Sequence, residues 1–188
     1  MRLEQIVRSD PDLMRLLDCL RGLTLPQWRL VSGCLYQTVW NVLTHRPRGT
    51  GIQDHDVIYF DDDDLSWDAE DAVIRRAEAV AVGCVGPLQI RNQARVHLWY
   101  EQHFGHPYAP LRTADEALLT YPATAQAIGV RLEANDRLDI VAPLGLDDVF
   151  AMTMRPNPGL AVGPVFDAKA ARALSVWPEV TIVYGPEP

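Results

Sequence analysis

The sequence predicts an α+β fold in which helices pack on a mixed β-sheet. The chain has 188 residues and is 48% hydrophobic, which is enough apolar material for the core of a single domain. Short β-branched and aromatic runs, such as Val57–Phe60, alternate with longer segments whose leucines recur at helical spacing, such as Leu13–Leu20. Because both kinds of segment recur along the whole chain, we expect one domain over residues 1–188.

The first 24 residues are predicted to form a helical cover with little functional content. Asp10 followed by Pro11 is a strong helix start, since aspartate caps free N–H groups and proline suits the first helical position. The leucines that follow share one helical face, and Gly22 ends the helix. At the other terminus, the tail Gly185–Pro188 is predicted to be frayed.

A strand, a small-residue turn and a helix follow in direct succession. Trp28–Val31 is the predicted strand, Ser32-Gly33 the turn and Leu35–Thr44 the helix. Glycine lets the backbone approach a ligand closely. The first N–H groups of a helix lack partners within the helix and point along its positive dipole end. This arrangement therefore predicts a cradle for phosphate.

Asp54 and Asp56 lie at the start of the next predicted strand, Val57–Phe60. Residues i and i+2 of a strand project to the same face, about 7 Å apart at the backbone, so the two carboxylates should converge while His55 turns away. Two converging anions repel, and a hard divalent cation such as Mg²⁺ relieves that repulsion with help from substrate phosphates. The alternative interpretation is a strand between polar loops with solvated acids, including the run Asp61–Asp64.

The remaining elements follow from caps, breakers and periodicity. Ser66 can cap a helix with Asp68, Glu70 and Asp71 in its first turn. Further elements are a strand at Leu88–Arg91, a helix from Asn92 through Phe104, a short helix from Thr113 to Pro122, a hairpin of Ala127–Leu132 and Arg137–Val141, a helix at Val165–Trp177 and an edge strand at Val180–Tyr184.

Charge and cysteine content narrow the classes of partner and compartment. The net charge of −8 argues against long nucleic acid or an anionic membrane as the main partner. Cys19, Cys34 and Cys84 lie in apolar contexts and are interpreted as small core residues of a cytoplasmic protein. No cysteine or histidine spacing suggests zinc, and no segment resembles a signal peptide or membrane span.

The strings LVSGCLYQTVWNVL, DHDVIYFDDDDLSW and RNQARVHLWYE resemble a small family of bacterial nucleotidyltransferase-like proteins. That family lies within the DNA polymerase beta-like nucleotidyltransferase superfamily, and the resemblance runs from about Trp28 to Trp177. It implies the polymerase beta-like fold and a reaction that depends on Mg²⁺ or Mn²⁺. In that reaction a nucleoside triphosphate would donate a nucleoside monophosphate to a hydroxyl of an unknown small-molecule or protein acceptor, or of an RNA end.

The resemblance also assigns roles to individual residues. Asp54 and Asp56 would be the catalytic, metal-binding pair, and the backbone N–H groups of Ser32 and Gly33 would hold the β- and γ-phosphates. Arg95 would contact a phosphate or the base. The alternative for Arg95 is a salt bridge to the acidic segment.

One position departs from the superfamily pattern. A third carboxylate is expected on a neighbouring strand between apolar residues, and position 89 has those flanks but carries glutamine. A neutral amide removes the obvious general base. Either Asp139, flanked by Leu138 and Ile140, substitutes for it, or the protein is a degenerate module that binds or senses a nucleotide. A structural protein with an incidental acidic loop is the third hypothesis. We expect Gln89 to lie beside the Asp54–Asp56 strand, on the same face.

Overall fold

The computed structural model describes residues 2–84, 86–161 and 163–184. The predicted frayed tail, Gly185–Pro188, lies outside these ranges. The helices are α1 (Arg2–Ser9), α2 (Pro11–Gly22), α3 (Gly33–Leu43), α4 (Trp67–Ala81), α5 (Tyr100–Phe104), α6 (Asp147–Phe150) and α7 (Gly163–Val176). The strands are β1 (Arg29–Val31), β2 (His55–Tyr59), β3 (Leu88–Asn92), β4 (Gly129–Leu132), β5 (Leu138–Val141), β6 (Thr153–Met154) and β7 (Thr181–Ile182).

The main sheet has five strands in the order β3-β2-β1-β4-β5. Strands β2 and β3 are parallel, and α4 forms the crossover that such a pair requires. The other neighbouring strands are antiparallel. The sheet is therefore mixed and the helices pack on it, which confirms the predicted α+β class.

The register of the strands separates an apolar face from a polar one. Leu30, Val57 and Ile90 alternate onto the face that joins the larger core, together with leucines of α1 and α2. Asp56 pairs with Val31 on one side and with Gln89 on the other, so it lies on the opposite face. Part of that face is covered by a 3₁₀ segment, Asp115–Thr120, over a smaller apolar cluster.

The predicted helix caps are present. The Asp10 carboxylate accepts hydrogen bonds from the backbone N–H groups of Asp12 and Leu13 at the start of α2. The Ser66 hydroxyl accepts one from the Ala69 N–H at the start of α4. Each capping side chain stabilises its helix by about 1 kcal/mol through contacts with residues two or three positions away. Because these contacts are local, the sequence alone predicts where the two helices begin.

The continuous helix predicted from Asn92 is wrong. Asn92 ends β3, and its side-chain amide bonds the backbone of Asp61 through both its oxygen and its nitrogen. Because those contacts hold Asn92 in the sheet, the chain continues instead as a 3₁₀ turn, Val96–Leu98, and the short helix α5. The helical spacing of the apolar residues did not reveal this use of asparagine.

Two further expectations need correction. The strand at the C-terminal end, β7, pairs in parallel with β6 in a separate two-stranded sheet and not with the main sheet. Cys34 is a buried core residue as predicted, but Cys19 and Cys84 are partly exposed, with 3.3 Å between their Sγ atoms. Partial exposure places these two thiols at the edge of the core and not within it.

Candidate active site

A polar cavity of about 200 Å³ lies where β1, β2 and the N-terminus of α3 meet α7. Its lining includes Ser32 and Gly33 from the turn before α3, Asp54 and Asp56 from the start of β2, and Lys169 from α7. The cavity thus brings together four of the five residues that the sequence assigned to the site.

The two aspartates interact electrostatically. Asp56 is partly buried in β2, and Asp54 precedes it on the same face. Burial, followed by the charge of Asp54, raises the pKa of Asp56 to about 6, while the charges of Lys169 and Arg91 lower it. Both aspartates line the same cavity, where their like charges repel each other.

Gln89 lies where the sequence predicts it. It is the register partner of Asp56 across the parallel pair β2–β3, and its Nε2 donates a hydrogen bond of 2.9 Å to Oδ2 of Asp54. The expectation that Gln89 shares a strand neighbourhood and a face with the aspartate pair is confirmed. The amide donates this hydrogen bond to Asp54 but has no carboxylate to offer a cation or a proton.

Asp139 does not supply the missing acid. It lies on β5, three strands from β2 in the order of the sheet, or about 14 Å at ordinary strand spacing. Its carboxylate is already paired with Arg29, at 3.0 Å, and with Arg131. The apolar flanks of Asp139 resemble those of a catalytic strand, but the strand order decides that it is not near Asp54 and Asp56.

The turn before α3 is strained in a way that shapes the cavity. Ser32 has φ 58° and ψ −120°, a left-handed conformation that serine rarely adopts and that costs about 1–3 kcal/mol. Its N–H donates to the Ile128 carbonyl at 2.9 Å, so the prediction that this N–H holds phosphate is wrong. The Ser32 hydroxyl makes no capping bond, and the Gly33 N–H opens the helix.

An unsatisfied polar atom also lines the cavity. Gln37 is buried, and its Nε2 donates to the Tyr36 hydroxyl at 3.1 Å. Its Oε1 is buried without a hydrogen-bond partner among the described residues. Since buried polar atoms are almost always paired, this oxygen is a marker of a site that a ligand or water completes.

Two cations of α7 were missed by the sequence analysis. Lys169 and Arg172 are exposed on one face of α7 and line the same cavity as the aspartates. Arg172 donates one N–H to the Gly51 carbonyl at 2.7 Å and keeps further donors for a ligand. The available signal was composition, because Lys169 is the only lysine of the chain.

Arg95 is not part of this cavity. It is 7% exposed, forms an ion pair with the buried Glu70, and donates from Nε to the Leu65 carbonyl. It follows β3, whereas Asp54 precedes β2, so the two residues lie beyond opposite ends of a parallel strand pair. The alternative interpretation, a salt bridge to the acidic segment, describes the observed contacts of Arg95.

The donor set near Asp54 and Asp56 matches a hard divalent cation that takes part of its ligands from a substrate. Both carboxylates offer oxygen atoms, and a bound cation would offset the burial and the charge of Asp54 that together raise the pKa of Asp56. Among the described residues no group of three or more His, Cys, Asp or Glu side chains could hold a metal ion. Among the described residues, the cavity therefore offers a cation the two carboxylates of Asp54 and Asp56.

Comparison with known proteins agrees with this geometry. A solved structure described as revealing a CCA-adding enzyme head domain superposes with a TM-score of 0.79 at 23% identity. The match covers 97% of this chain and 95% of that one, and at this identity it establishes the fold alone. A comparison with curated protein sequences gave no match. None of the helices in the described ranges has the length and apolarity to cross a membrane.

The family comparison is more specific than the fold. A family model described as nucleotidyltransferase matches residues 18–182, which is most of the chain and includes every element that lines the cavity. Membership in such a family supports transfer of a nucleoside monophosphate and implies a nucleotide substrate. Because the match spans most of the chain, the chain belongs to this nucleotidyltransferase family.

Proposed function

We propose that the protein binds a nucleoside triphosphate together with Mg²⁺ or Mn²⁺ in the polar cavity and transfers the nucleoside monophosphate to a hydroxyl acceptor. One observation carries the proposal: a single cavity holds Asp54 and Asp56, the N-terminus of α3 and the cations of α7. Carboxylates and cations that line one cavity suit a ligand that is itself a metal-bound polyanion.

The phosphates are assigned to the side of the cavity formed by α3 and α7. The Gly33 N–H and the positive end of the α3 dipole favour an anion, and the Ser32 hydroxyl lies beside them. A Cβ at Gly33 would first meet the Gln37 amide nitrogen, at 3.6 Å, so the space above the glycine is open to a ligand. Lys169 and Arg172 of α7 add positive charge to the cavity lining.

The divalent cation is assigned to Asp54 and Asp56. Bound there, a cation would neutralise charge on the phosphoryl group during transfer. The chain's own contribution is to hold the two carboxylates on adjacent same-face positions of β2 and to fix Asp54 through the Gln89 amide. Because two carboxylates supply less charge than three, the triphosphate should contribute to cation binding.

In the transfer, the acceptor oxygen forms a bond to the α-phosphorus, the bond between the α- and β-phosphates breaks, and pyrophosphate leaves. The acceptor proton goes to solvent, since Gln89 cannot accept it. The acceptor is a small molecule or a protein side chain. The net charge of −8 disfavours a long nucleic acid in this role.

Gln89 favours a second candidate function, nucleotide binding without transfer. Where a third carboxylate would both complete a cation site and accept a proton, this chain has an amide that donates to Asp54. A protein of this kind would bind the same ligands but would release no pyrophosphate.

Calorimetry and a pyrophosphate assay test both candidates. Each of the four nucleoside triphosphates is titrated into the protein in the presence of Mg²⁺ or Mn²⁺. At a ligand concentration a hundredfold above Kd, the free energy of unfolding should rise by about 3 kcal/mol. Asp54→Asn and Asp56→Asn should abolish cation-dependent binding. Asp63→Asn, an exposed acid outside the cavity, is the matched control. Unchanged binding in both site variants overturns the assignment.

Gln89→Glu separates transfer from binding alone. Glutamate is nearly isosteric with the native residue and the side chain is exposed, so the variant should fold. If the native protein already transfers, pyrophosphate release occurs without the substitution. If it only binds, release begins in Gln89→Glu; if it already transfers, release rises in that variant, with about 10²–10⁴-fold as the scale of a general base. Binding with no release in either protein supports the second candidate.

A further inference from the structure

A second, larger cavity of about 600 Å³ lies among α5, the loop that follows it and the start of α7. Its lining includes the rings of Tyr100, His106 and Tyr108 and the aliphatic side chains of Leu160 and Val165. None of its described lining residues is Asp, Glu, Lys or Arg. Its size is that of an ordinary small-molecule site, and its lining suits an uncharged ring and not a phosphate.

The aromatic wall of this cavity is an ordered cluster. The ring centroids of Tyr100 and Tyr108 are 4.6 Å apart with an interplanar angle of 38°, and the His106 ring is 5.2 Å from Tyr100. The Tyr108 hydroxyl donates to Thr120 Oγ1 at 3.3 Å, which fixes that ring against the cavity wall. Aromatic faces held in this way are stacking surfaces for planar heterocycles.

Two chain segments connect this cavity to the polar one. On α7, Val165 lines the aromatic cavity and Lys169 lines the polar cavity. They are four residues apart on the same helical face, a rise of about 6 Å. In the segment before β4, Pro122 lines the aromatic cavity and Gln126 the polar one. The two cavities are therefore neighbours.

Tyr121 gives an independent sign of this proximity. It lies between Thr120 and Pro122, which both line the aromatic cavity. Burial raises the pKa of the Tyr121 hydroxyl, and the charge of Asp56 raises it further. Asp56 therefore acts on a residue of the wall that borders the aromatic cavity.

We propose that the aromatic cavity binds the base of the nucleotide whose phosphates occupy the polar cavity. The inference rests on the proposed function and extends it to a base subsite. A nucleotide has a planar uncharged ring joined through a sugar to a polyanion. The aromatic cavity suits the ring, and the adjacent polar cavity suits the polyanion. Tyr100 stacks on the base, and Lys169 binds the phosphates.

Calorimetry with two probes tests this division. Each nucleoside triphosphate and inorganic tripolyphosphate are titrated, with Mg²⁺, into the native protein, Tyr100→Ala, Tyr100→Phe and Lys169→Ala. Tyr100→Ala should weaken the binding of nucleoside triphosphates by about 5- to 100-fold, which is the range for loss of one base–aromatic stack. It should leave the Kd of tripolyphosphate unchanged. Tyr100→Phe keeps the ring and should retain native affinity. Lys169→Ala should weaken the binding of both probes, the nucleoside triphosphate and the tripolyphosphate.

The control is Trp67→Ala, which removes an exposed aromatic ring that lies outside both cavities. Retained binding of tripolyphosphate verifies that Tyr100→Ala is folded, and Tyr108→Ala provides a second variant of the same wall. If nucleotides bind the native protein and both alanine variants equally, the base subsite is overturned while the proposed function stands. If the native protein binds neither probe, both are overturned.

Discussion

The two ends of the parallel strand pair β2–β3 carry similar side chains in different electrostatic states. At the C-terminal end, Glu70 is 1% exposed and is satisfied by Arg95 and by the Asn92 N–H, at 2.8 Å. At the N-terminal end, burial and then repulsion by the charge of Asp54 raise the pKa of Asp56 to about 6. Buried acids that are fully paired stabilise a fold, whereas acids left in mutual repulsion mark a place for a cation.

This difference also explains why the density of acidic residues along the chain does not locate the candidate cation site. The run Asp61–Asp64 is the most acidic stretch of the sequence, yet three of its members are exposed. The Asp61 and Asp64 carboxylates accept hydrogen bonds from backbone N–H groups two residues on, as turn residues do. The site therefore depends on facing residues from separate strands and helices and not on local acidity.

The largest effect is expected from Arg95→Ala. It leaves Glu70 charged and buried without its ion-pair partner, which should lower the free energy of unfolding by about 3–5 kcal/mol in urea denaturation. Arg75→Ala, which breaks an exposed pair with Asp71, should cost less than about 1 kcal/mol. An Arg95→Ala variant of native stability that loses nucleotide affinity would contradict the structural role and restore the predicted ligand contact.

The next effect concerns Asp56 in the metal-free protein. Its folded pKa of about 6 exceeds the usual value of an unfolded aspartate, about 4, so the folded state binds more protons between these values. Stability should therefore fall as pH rises from about 4 to about 6 and then stay lower. Asp56→Asn should remove this slope and stabilise the metal-free protein above pH 6 by up to about 3 kcal/mol.

Urea denaturation from pH 4 to pH 8, with a chelator present, measures the Asp56 effect. The control is Asp63→Asn, because an exposed acid should leave the native slope in place. If Asp56→Asn retains the native pH dependence, the carboxylate is not held in the repulsive contact described above.

Lys169→Ala should affect binding more than folding. The side chain is exposed, so the free energy of unfolding should change by less than about 0.5 kcal/mol. Loss of a charged contact to phosphate should weaken tripolyphosphate binding by about 10- to 100-fold. Arg137→Ala, at a cation outside the cavity, should leave the Kd unchanged. Because Lys169 is the only lysine, nucleotide should also protect it from amine-reactive labels, which mass spectrometry can detect.

The smallest effect is expected in the acidic run. Replacing Asp62 and Asp63 together with asparagine removes two exposed charges that line neither cavity. Stability should change by no more than about 0.5 kcal/mol, and the Kd for Mg²⁺ with nucleotide should match that of the native protein. A large loss of cation affinity in this double variant would move the cation site to the run and erase the contrast between the two strand ends.

Local sequence patterns determined much of the fold and, within the candidate site, the placement of the aspartate pair. The caps at Asp10 and Ser66, the strand β2 and the turn before α3 are set by neighbours within a few residues, so the sequence predicts them, although β2 is His55–Tyr59 and not Val57–Phe60. Two-residue periodicity placed Asp54 and Asp56 on one face. The family resemblance placed Gln89 beside them, and the register confirms it.

Only the tertiary structure decided which distant residues join that pair. Lys169 and Arg172 reach the cavity because α7 crosses it, and Arg95 is withdrawn from it because a buried Glu70 requires a partner. Asp139 has the flanks of a catalytic residue but lies three strands away. The physical reason is that strand order, helix docking and the pairing of buried charges depend on the packing of the whole core, which no window of neighbouring residues contains.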